Sequence, residues 1–336
     1  MKHLLPPVKK YFKACLHTHS TVSDGKLTPE EVRDAYRAEG YSVVALTDHS
    51  VTVSHQELNL PDFLMLTGVE IDVDDSDYAL TGVREKVRHM CLISKDPNRL
   101  WIPFRDPEPI PCSLQYEALD EIGDFTREYS AENFNALIAE CNRQGFLVTY
   151  NHPCWSLEGY ADYITMEGLW AMEYRNTGSI NLGYDENNGR VYQDFLMQGK
   201  RLVPVMADDM HRPEKNGVRE LGVSWAMIGA EELTYDAVIA AMERGDLYSS
   251  CGPEISGIVW DEGKLHVSCT PGCRVQVVTQ TRRAALAVAP EGQVTIDMSK
   301  WLTHSKGNGN AFLRLIVTAP DGSYAVSRAY WLDELD

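Results

Sequence analysis

The sequence predicts an α/β domain with a mainly parallel sheet, followed by a smaller all-β domain. From residue 12 to about residue 250, apolar runs of strand length alternate with helix-period segments, a pattern typical of α/β folds. After residue 251 only short strand-like runs and turn residues remain. A chain of 336 residues also exceeds what one hydrophobic core usually supports. We therefore expect a first domain over 1–253 and a β-sandwich over 254–336.

Apolar runs rich in β-branched and aromatic residues predict the strands of the first domain. They cover residues 12–19, 42–49, 63–72, 87–94, 146–152, 169–176, 201–209 and 225–230. The clearest helix is predicted between Thr28 and Gly40, because Thr28 precedes Pro29, acidic residues fill the first turn and Gly40 ends the pattern. Residues 131–145 and 236–245 show the same apolar spacing with a closing glycine.

Two regions depart from this alternation. Residues 95–130 contain five prolines and no periodic apolar face, so we predict an insertion there, either a functional lid or a segment without a function of its own. Residues 254–336 contain six short strand-like runs and no helix signal, which predicts a small antiparallel sandwich.

Composition excludes several classes of protein. The chain carries 31 Lys and Arg against 49 Asp and Glu, a formal net charge of −18, which disfavours a long nucleic-acid partner. Its apolar runs are far shorter than the roughly 20 residues that span a bilayer, so no membrane segment is expected. The N-terminal residues lack the apolar core of a signal peptide, and the eight cysteines are dispersed, so we expect a cytoplasmic protein with reduced thiols.

Histidines and carboxylates occur near the ends of the predicted strands. Functional groups of parallel α/β folds gather at the carboxyl edge of the sheet, so side chains from different segments are expected to converge there. Imidazole and carboxylate are the ligands that zinc, iron(II) and manganese use. Any one histidine alone is more simply a core or surface residue, but the set favours a metal site. The candidates are His17, His19, Asp24, His49, Glu70, His89, His152, Asp209 and His211.

The motifs HTHSTVSDG, TDH, GVE, NHP and DMH, together with the lone His89, resemble those of the PHP (polymerase and histidinol phosphatase) family. All nine ligand positions of that family find a matching residue, in order, over residues 12 to 250. The resemblance implies a distorted (β/α)7 TIM-like barrel that binds two or three divalent ions, manganese, iron or zinc. It also implies that residues 254–336 form an appended immunoglobulin-like sandwich.

The resemblance further implies how the ligands are shared. One ion would be held by His17, His19, Glu70 and Asp209, a second by Asp24, His49 and His211, and a third by Glu70, His89 and His152. The implied catalytic residues are His17, Glu70, Asp209 and His211. Some relatives have histidine where this chain has Asp24, and the harder oxygen ligand favours manganese or iron over zinc.

The activity implied is a metal-dependent phosphoesterase that hydrolyses a small phosphate ester with a metal-bridged hydroxide. Nucleotides, nucleoside bisphosphates and sugar phosphates are the expected substrates. Arg175 and Arg212 lie at predicted strand ends, where a guanidinium binds phosphate well, although either could be an ordinary ion-pairing arginine. Trp155 is either a wall of the substrate pocket or a core residue. His3, His55, His266 and His304 match no family position.

Two other functions remain open at this stage. A metal-dependent amide or carbamate hydrolase would use the same ligands on a carbonyl carbon, and an apolar pocket without a cation would favour it. A PHP-derived binding module without activity is the second alternative, and the complete set of nine ligands argues against it. The sequence leaves the oligomeric state and the substrate open.

Overall fold

A computed structural model of the chain describes residues 1–8, 10–75, 86–107, 109–116 and 121–335. Within these residues the fold is mixed α/β. The strands up to residue 250 are β1 Lys2–His3, β2 Tyr11–Cys15, β3 Val43–Leu46, β4 Leu64–Asp74, β5 Val87–Ser94, β6 Trp101–Ile102, β7 Glu121–Ile122, β8 Phe146–Tyr150, β9 Ala171–Asn176, β10 Val203–Ala207, β11 Glu214–Lys215, β12 Val218–Arg219, β13 Trp225–Gly229 and β14 Leu247–Ser250.

The C-terminal strands and the α-helices follow, and two short 3-10 helices span Gln56–Leu58 and Ser113–Gln115. The later strands are β15 Ile255–Asp261, β16 Lys264–Cys269, β17 Cys273–Thr279, β18 Ala285–Ala289, β19 Gln293–Asp297, β20 Phe312–Thr318, β21 Tyr324–Ser327 and β22 Tyr330–Trp331. The helices are α1 Pro29–Ala38, α2 Ala131–Arg143, α3 Tyr160–Tyr163, α4 Thr177–Asn181, α5 Gly189–Met197, α6 Tyr235–Arg244, α7 Ser299–Ser305 and α8 Leu332–Leu335.

Seven strands of the main sheet follow the order β10-β9-β8-β5-β4-β3-β2. β3 pairs in parallel with β2 and β4, and β9 pairs in parallel with β8 and β10. β5, in contrast, is antiparallel to both of its neighbours. Four of the six pairings among these strands are therefore parallel, as expected of a mainly parallel sheet, and the two that involve β5 are antiparallel. The direction of β5 was not predicted, because a buried apolar run identifies a strand and not its direction.

The seven strands do not form a closed hydrogen-bonded barrel in the described residues. The free edge of β2 is taken by β13, which runs antiparallel to it as far as Ala14. Beyond β2 the chain meets the segment that follows β10, and a single bridge joins Thr18 to Met210. In place of the predicted closed barrel there is an open sheet. In the part of the chain that the structure describes, β2 and β10 are not paired, and only the segments that follow them are joined, by the bridge from Thr18 to Met210.

The C-terminal region consists of two antiparallel sheets. β14 pairs with β21, so the main sheet continues through β20 and β17 to β18. The second sheet has the order β1-β15-β16-β19. Leu265 and Trp260 from the second sheet and Val275 and Leu315 from the main sheet are buried in one hydrophobic cluster. The β-rich region after residue 254 is therefore present, and the N-terminal strand β1 pairs with β15 of this region.

The sequence analysis predicts only strands after residue 254, and this is wrong at α7. α7 spans only seven residues, too few to show a helical period, yet its Trp301 is buried in the core. Strand β18 was also missed, because its ALAVA sequence carries no residue with strong strand preference except one valine.

Local sequence signals specify the first helix well. The Thr28 side chain accepts a hydrogen bond from the Glu31 N–H, while the Glu31 carboxylate accepts one from the Thr28 N–H. Val32 and Tyr36 bury the inner face of α1. α6 ends at Arg244 and is capped by Gly245, whose φ of +70° is a conformation that glycine adopts without strain.

The predicted insertion 95–130 contains residues 108 and 117–120, which lie outside the described residues. In the described part, Trp101, Ile102 and Phe104 are buried in the core that also contains Phe146.

All eight cysteines are free thiols. No helix in the described part of the chain is long and apolar enough to cross a membrane.

Candidate metal centre and active site

The nine predicted ligand residues meet at one edge of the main sheet. The segments after β2, β3, β8 and β10 supply most of them, and strands β4 and β5 supply Glu70 and His89. His89 is the third residue of β5 rather than a residue at its end. Because β5 runs opposite to β4 and places His89 beside Asp72, its beginning reaches the same edge.

Backbone hydrogen bonds hold the two ligand-rich segments together. The Asp209 N–H donates to the His17 carbonyl at 3.0 Å, and the His19 N–H donates to the Met210 carbonyl at 3.0 Å. The Lys26 N–H donates to the His211 carbonyl at 2.8 Å. The segment after β2 and the segment after β10 are therefore fixed in register, although they are about 190 residues apart along the chain.

An inner group consists of two imidazoles facing two carboxylates. Nε2 of His17 lies 3.2 Å from Oε2 of Glu70 and 3.2 Å from Oδ1 of Asp209. Nε2 of His19 lies 3.4 Å and 3.1 Å from the same two oxygens. All four side chains are buried. These are the residues that the family resemblance assigns to the first ion.

An outer group lies closer to solvent and consists of Asp24, His49, His211 and His19. Oδ2 of Asp24 is 3.4 Å from Nε2 of His211, and its Oδ1 is 3.9 Å from Nε2 of His49. Nδ1 of His19 lies 3.8 Å from Oδ1 of Asp24. The first three side chains are half-buried, and they are those assigned to the second ion.

Glu70 connects the groups because its two oxygens face different partners. Oε1 lies 3.0 Å from Nδ1 of His89 and 3.2 Å from Nε2 of His152. Oε2 faces His17 and His19 and lies 3.4 Å from Nδ1 of His49. The structure therefore brings all nine residues together and places Glu70 between the inner pair and the third set.

The charges of the cluster shift its pKa values in opposite directions. Burial acts to lower the pKa of His19, but hydrogen bonds with Asp209 and Glu70 outweigh it and raise that pKa to about 10. The pKa of His152 rises to about 9, again against burial and through Glu70. For Glu70 and Asp209, burial acts to raise the pKa, but the neighbouring histidines outweigh it and hold the pKa of both carboxyl groups well below the usual range. The cluster thus attracts positive charge.

The donor atoms fit a site for several divalent ions. Four overlapping groups of histidine and carboxylate residues have ligand atoms within 4.8 Å of one another. Nδ1 of His19 and Nε2 of His89 are buried without a hydrogen-bond partner in the described residues. Leaving a buried polar atom unpaired costs about 1–3 kcal/mol, which coordination would offset. Nitrogen and oxygen donors at this spacing suit zinc, iron or manganese.

Supporting residues that the sequence analysis missed hold the ligands in place. Glu173 in β9 is buried, and its Oε1 lies 2.8 Å from Nδ1 of His17, while its Oε2 accepts from the His152 N–H at 2.9 Å. Nδ2 of Asn151 donates to Glu70 at 2.8 Å. Nδ2 of Asn176 donates to Asp209 at 3.1 Å. A glutamate inside the apolar run LWAMEYRN was the available signal for Glu173.

Asp48, in the TDH motif, organises the loop that carries His19 and Asp24. Its carboxylate accepts hydrogen bonds from the N–H and Oγ of Ser20 and from the N–H and Oγ of Ser23, at 2.7 to 3.1 Å. Asp48 is buried, so these four donors compensate for the loss of its hydration.

The backbone around the ligands is strained and tightly packed. Asp209 has φ of +50° and Ser50, directly after His49, has φ of +57°, both uncommon for residues with a side chain. Gly178 lies so close to Asp209 that a Cβ would be 2.7 Å from the Asp209 carbonyl oxygen. Such strain is typical of functional sites, where the surrounding contacts enforce it.

A cavity of about 290 Å³ opens above the ligands. Trp155 and Leu182 give it an apolar wall, and Arg212, Lys215 and Glu220 line its polar side. Nε of Arg212 has no hydrogen-bond partner in the described part of the chain. The Trp155 ring centroid lies 4.9 Å from those of both His89 and His152, so Trp155 is a pocket residue.

Arg175 does not line this cavity. Its Nε donates to Oγ of Ser224 at 3.2 Å and its Nη1 donates to Oδ1 of Asn187 at 2.8 Å. Of the two arginines that the sequence suggests for substrate phosphate, the structure places only Arg212 at the cavity.

Comparison with protein-family models finds no match, and no curated protein matches the chain. Among solved structures, the chain is similar to a two-domain protein from Bacteroides vulgatus described as containing a predicted PHP-like metal-dependent phosphoesterase. The match covers 98% of each chain at 16% identity, with a TM-score of 0.44.

A second similar structure is an amidohydrolase from Chromobacterium violaceum with bound sulfate and no metal. That match covers 70% of this chain and 96% of the other at 18% identity, with a TM-score of 0.41. At these low values, function has to be argued from the side chains of the chain itself.

Proposed function

We propose that the protein is a metal-dependent phosphoesterase that hydrolyses a small phosphate ester. The observation that carries the proposal is the convergence of nine imidazole and carboxylate ligands beneath one cavity that Arg212 and Lys215 also line. A phosphate ester is an anion, and cations on both sides of it would neutralise its oxygens.

The ligand residues divide naturally among several ions. The inner group of His17, His19, Glu70 and Asp209 and the outer group of Asp24, His49 and His211 would each hold one. A third would take Glu70 with His89 and His152. Divalent ions supply Lewis acidity and lower the pKa of water, so that hydroxide is available to attack phosphorus near neutral pH.

The other residues of the cavity would bind and orient the substrate. Nε of Arg212, which has no hydrogen-bond partner in the described residues, would donate to a phosphoryl oxygen, and Lys215 adds a second positive charge. Trp155 and Leu182 would contact the part of the substrate beyond the phosphoryl group and exclude water from that side. The proposed catalytic residues are Glu70, Asp209 and His211, which line the cavity, and His17, which lies buried beneath it; they would hold the ions that act on the substrate.

Two cations in the cavity favour this function over the amide or carbamate hydrolase, because a neutral substrate would not require them. The complete ligand set similarly favours an enzyme over a binding module.

For the C-terminal region we propose an immunoglobulin-like sandwich, since two antiparallel sheets enclose its core.

The experiment is a phosphate-release assay on a panel of phosphate mono-, bis- and diesters with added Mn²⁺ or Zn²⁺. We expect release from one class of ester and none from the Asp209→Asn protein. A protein shown to contain metal that releases no phosphate from any ester, yet hydrolyses an amide or carbamate, would overturn the proposal.

A further inference from the structure

The chain between α4 and α5 lies between the cavity and the C-terminal sheets. We call residues 182–188 the wall loop, because Leu182 at its start lines the cavity. Near its end, Glu186 is fully buried and its carboxylate accepts hydrogen bonds from the Trp155 N–H and from Nδ2 of Asn188. The wall loop thus supports both apolar residues of the cavity, Leu182 and Trp155.

A tyrosine of the C-terminal region holds the same loop from outside. The Tyr324 hydroxyl, on β21, donates to Oδ1 of Asn187 at 2.7 Å. Nη1 of Arg175, at the end of β9, donates to the same oxygen at 2.8 Å. Asn187 is exposed, so hydrogen bonds from two different elements, rather than burial, fix its side chain.

The wall loop is short and stiff enough to transmit this contact to the cavity. The Asn188 N–H donates to the Tyr174 carbonyl at 2.8 Å, and the Asn176 N–H donates to the Glu186 carbonyl at 3.4 Å. Asn187 stands between Glu186 and Asn188 in the chain. A shift of Asn187 would therefore move Glu186, and with it the backbone of Trp155.

We infer that Tyr324 is a positioning residue for substrate binding: through Asn187 it fixes the wall loop, and through Glu186 it fixes Trp155. The C-terminal region then shapes the substrate cavity although it contributes no ligand residue. This inference rests on the proposed function for the identity of the substrate. Because the wall contacts the part of the substrate beyond the phosphoryl group, the effect falls on KM and leaves kcat unchanged.

The first measurement needs no substrate and uses amide hydrogen exchange on the full-length protein. Tyr324→Phe removes the hydroxyl and should speed amide exchange in peptides covering residues 150–157 and 182–188. We expect a change of about 2- to 10-fold, which is the factor that corresponds to the net free energy of one hydrogen bond. Tyr330→Phe is the control for removing a tyrosine hydroxyl alone, since Tyr330 is buried in the cluster between the C-terminal sheets and its hydroxyl has no hydrogen-bond partner in the described residues. Unchanged exchange in Tyr324→Phe, or equal changes in both variants, would overturn the inference.

The second measurement is steady-state hydrolysis of an ester whose leaving group contains a ring. Tyr324→Phe should raise KM by about 2- to 10-fold with kcat unchanged. Asn187→Ala removes the acceptor of the same hydrogen bond and should have the same effect. A faster-exchanging loop with an unchanged KM would refute the role in substrate binding. If the wild-type protein hydrolyses no phosphate ester, the proposed function fails, whereas the exchange experiment still decides whether Tyr324 controls the loop.

Discussion

Nδ1 of His17 lies 2.8 Å from Oε1 of Glu173, and both side chains are buried. A carboxylate that accepts from one imidazole nitrogen fixes the ring orientation and leaves the other nitrogen free to coordinate. Here the other nitrogen, Nε2, faces Glu70 and Asp209. Glu173 therefore sets the direction of a ligand without being part of the ligand cluster.

Glu173→Gln should weaken metal binding by about 10- to 100-fold without unfolding the protein. Glu173 accepts from His17 on one oxygen and from the His152 N–H and Asn176 on the other, so either orientation of the amide opposes a buried donor. The measurement is metal affinity by titration of metal-free protein. Glu140→Gln, on the surface of α2, is the control, and equal affinities in the two variants would contradict the role of Glu173.

Asp48→Ala should lower the free energy of unfolding by about 1–3 kcal/mol and also reduce metal binding. Four donors from Ser20 and Ser23 would lose their acceptor, and the loop that carries His19 and Asp24 would loosen. Denaturant unfolding measures the first effect. Asp62→Ala removes an exposed ion pair with Arg37 and should cost below about 1 kcal/mol. An Asp48 variant as stable as the Asp62 variant would refute this account.

Arg212→Met should reduce kcat/KM for the phosphate ester by about 10- to 100-fold, the value of a hydrogen bond to a charged group. Arg212→Lys should recover part of the loss, because the charge remains while the paired donors are lost. Arg143→Met, on the exposed side of α2, is the control for removing a surface charge. Unchanged kinetics in Arg212→Met would show that the substrate phosphate binds elsewhere.

The thiols should differ strongly in reactivity. Burial raises the pKa of Cys141 above its usual range and that of Cys269 to about 11, so both remain protonated and unreactive at mildly alkaline pH. Cys112 is exposed. Iodoacetamide should modify Cys112 first in the folded protein and all eight cysteines after denaturation. Equal rates for Cys112 and Cys141 in the folded state would contradict the burial described here.

The ligand cluster was predictable because its residues follow local motifs. His17 and His19 share a strand end, and Asp209 and His211 share another, so the order of strands brings them together. The supporting residues Asp48 and Glu173 were not predictable in this way, since their function depends on contacts formed across the fold. A carboxylate that accepts from a backbone 21 residues away leaves no periodic signal in the sequence.

Strand positions were predictable and strand directions were not. Apolar runs locate β2, β3, β4 and β5 within a few residues, but burial on both faces is the same for parallel and antiparallel neighbours. The position of Arg175 illustrates a similar limit. Its place at the end of β9 is visible in the sequence, whereas its hydrogen bonds to Ser224 and Asn187 join residues that only the folded chain brings together.

The most direct test of metal-dependent phosphoester hydrolysis is to reload metal-free protein stepwise with Mn²⁺ while following phosphate release. We predict no release before metal is added, a rise that follows the binding of more than one ion per chain, and no release from folded His17→Ala at any Mn²⁺ concentration. Phosphate release that is independent of Mn²⁺, or equal rates in the wild-type and His17→Ala proteins, would contradict the account.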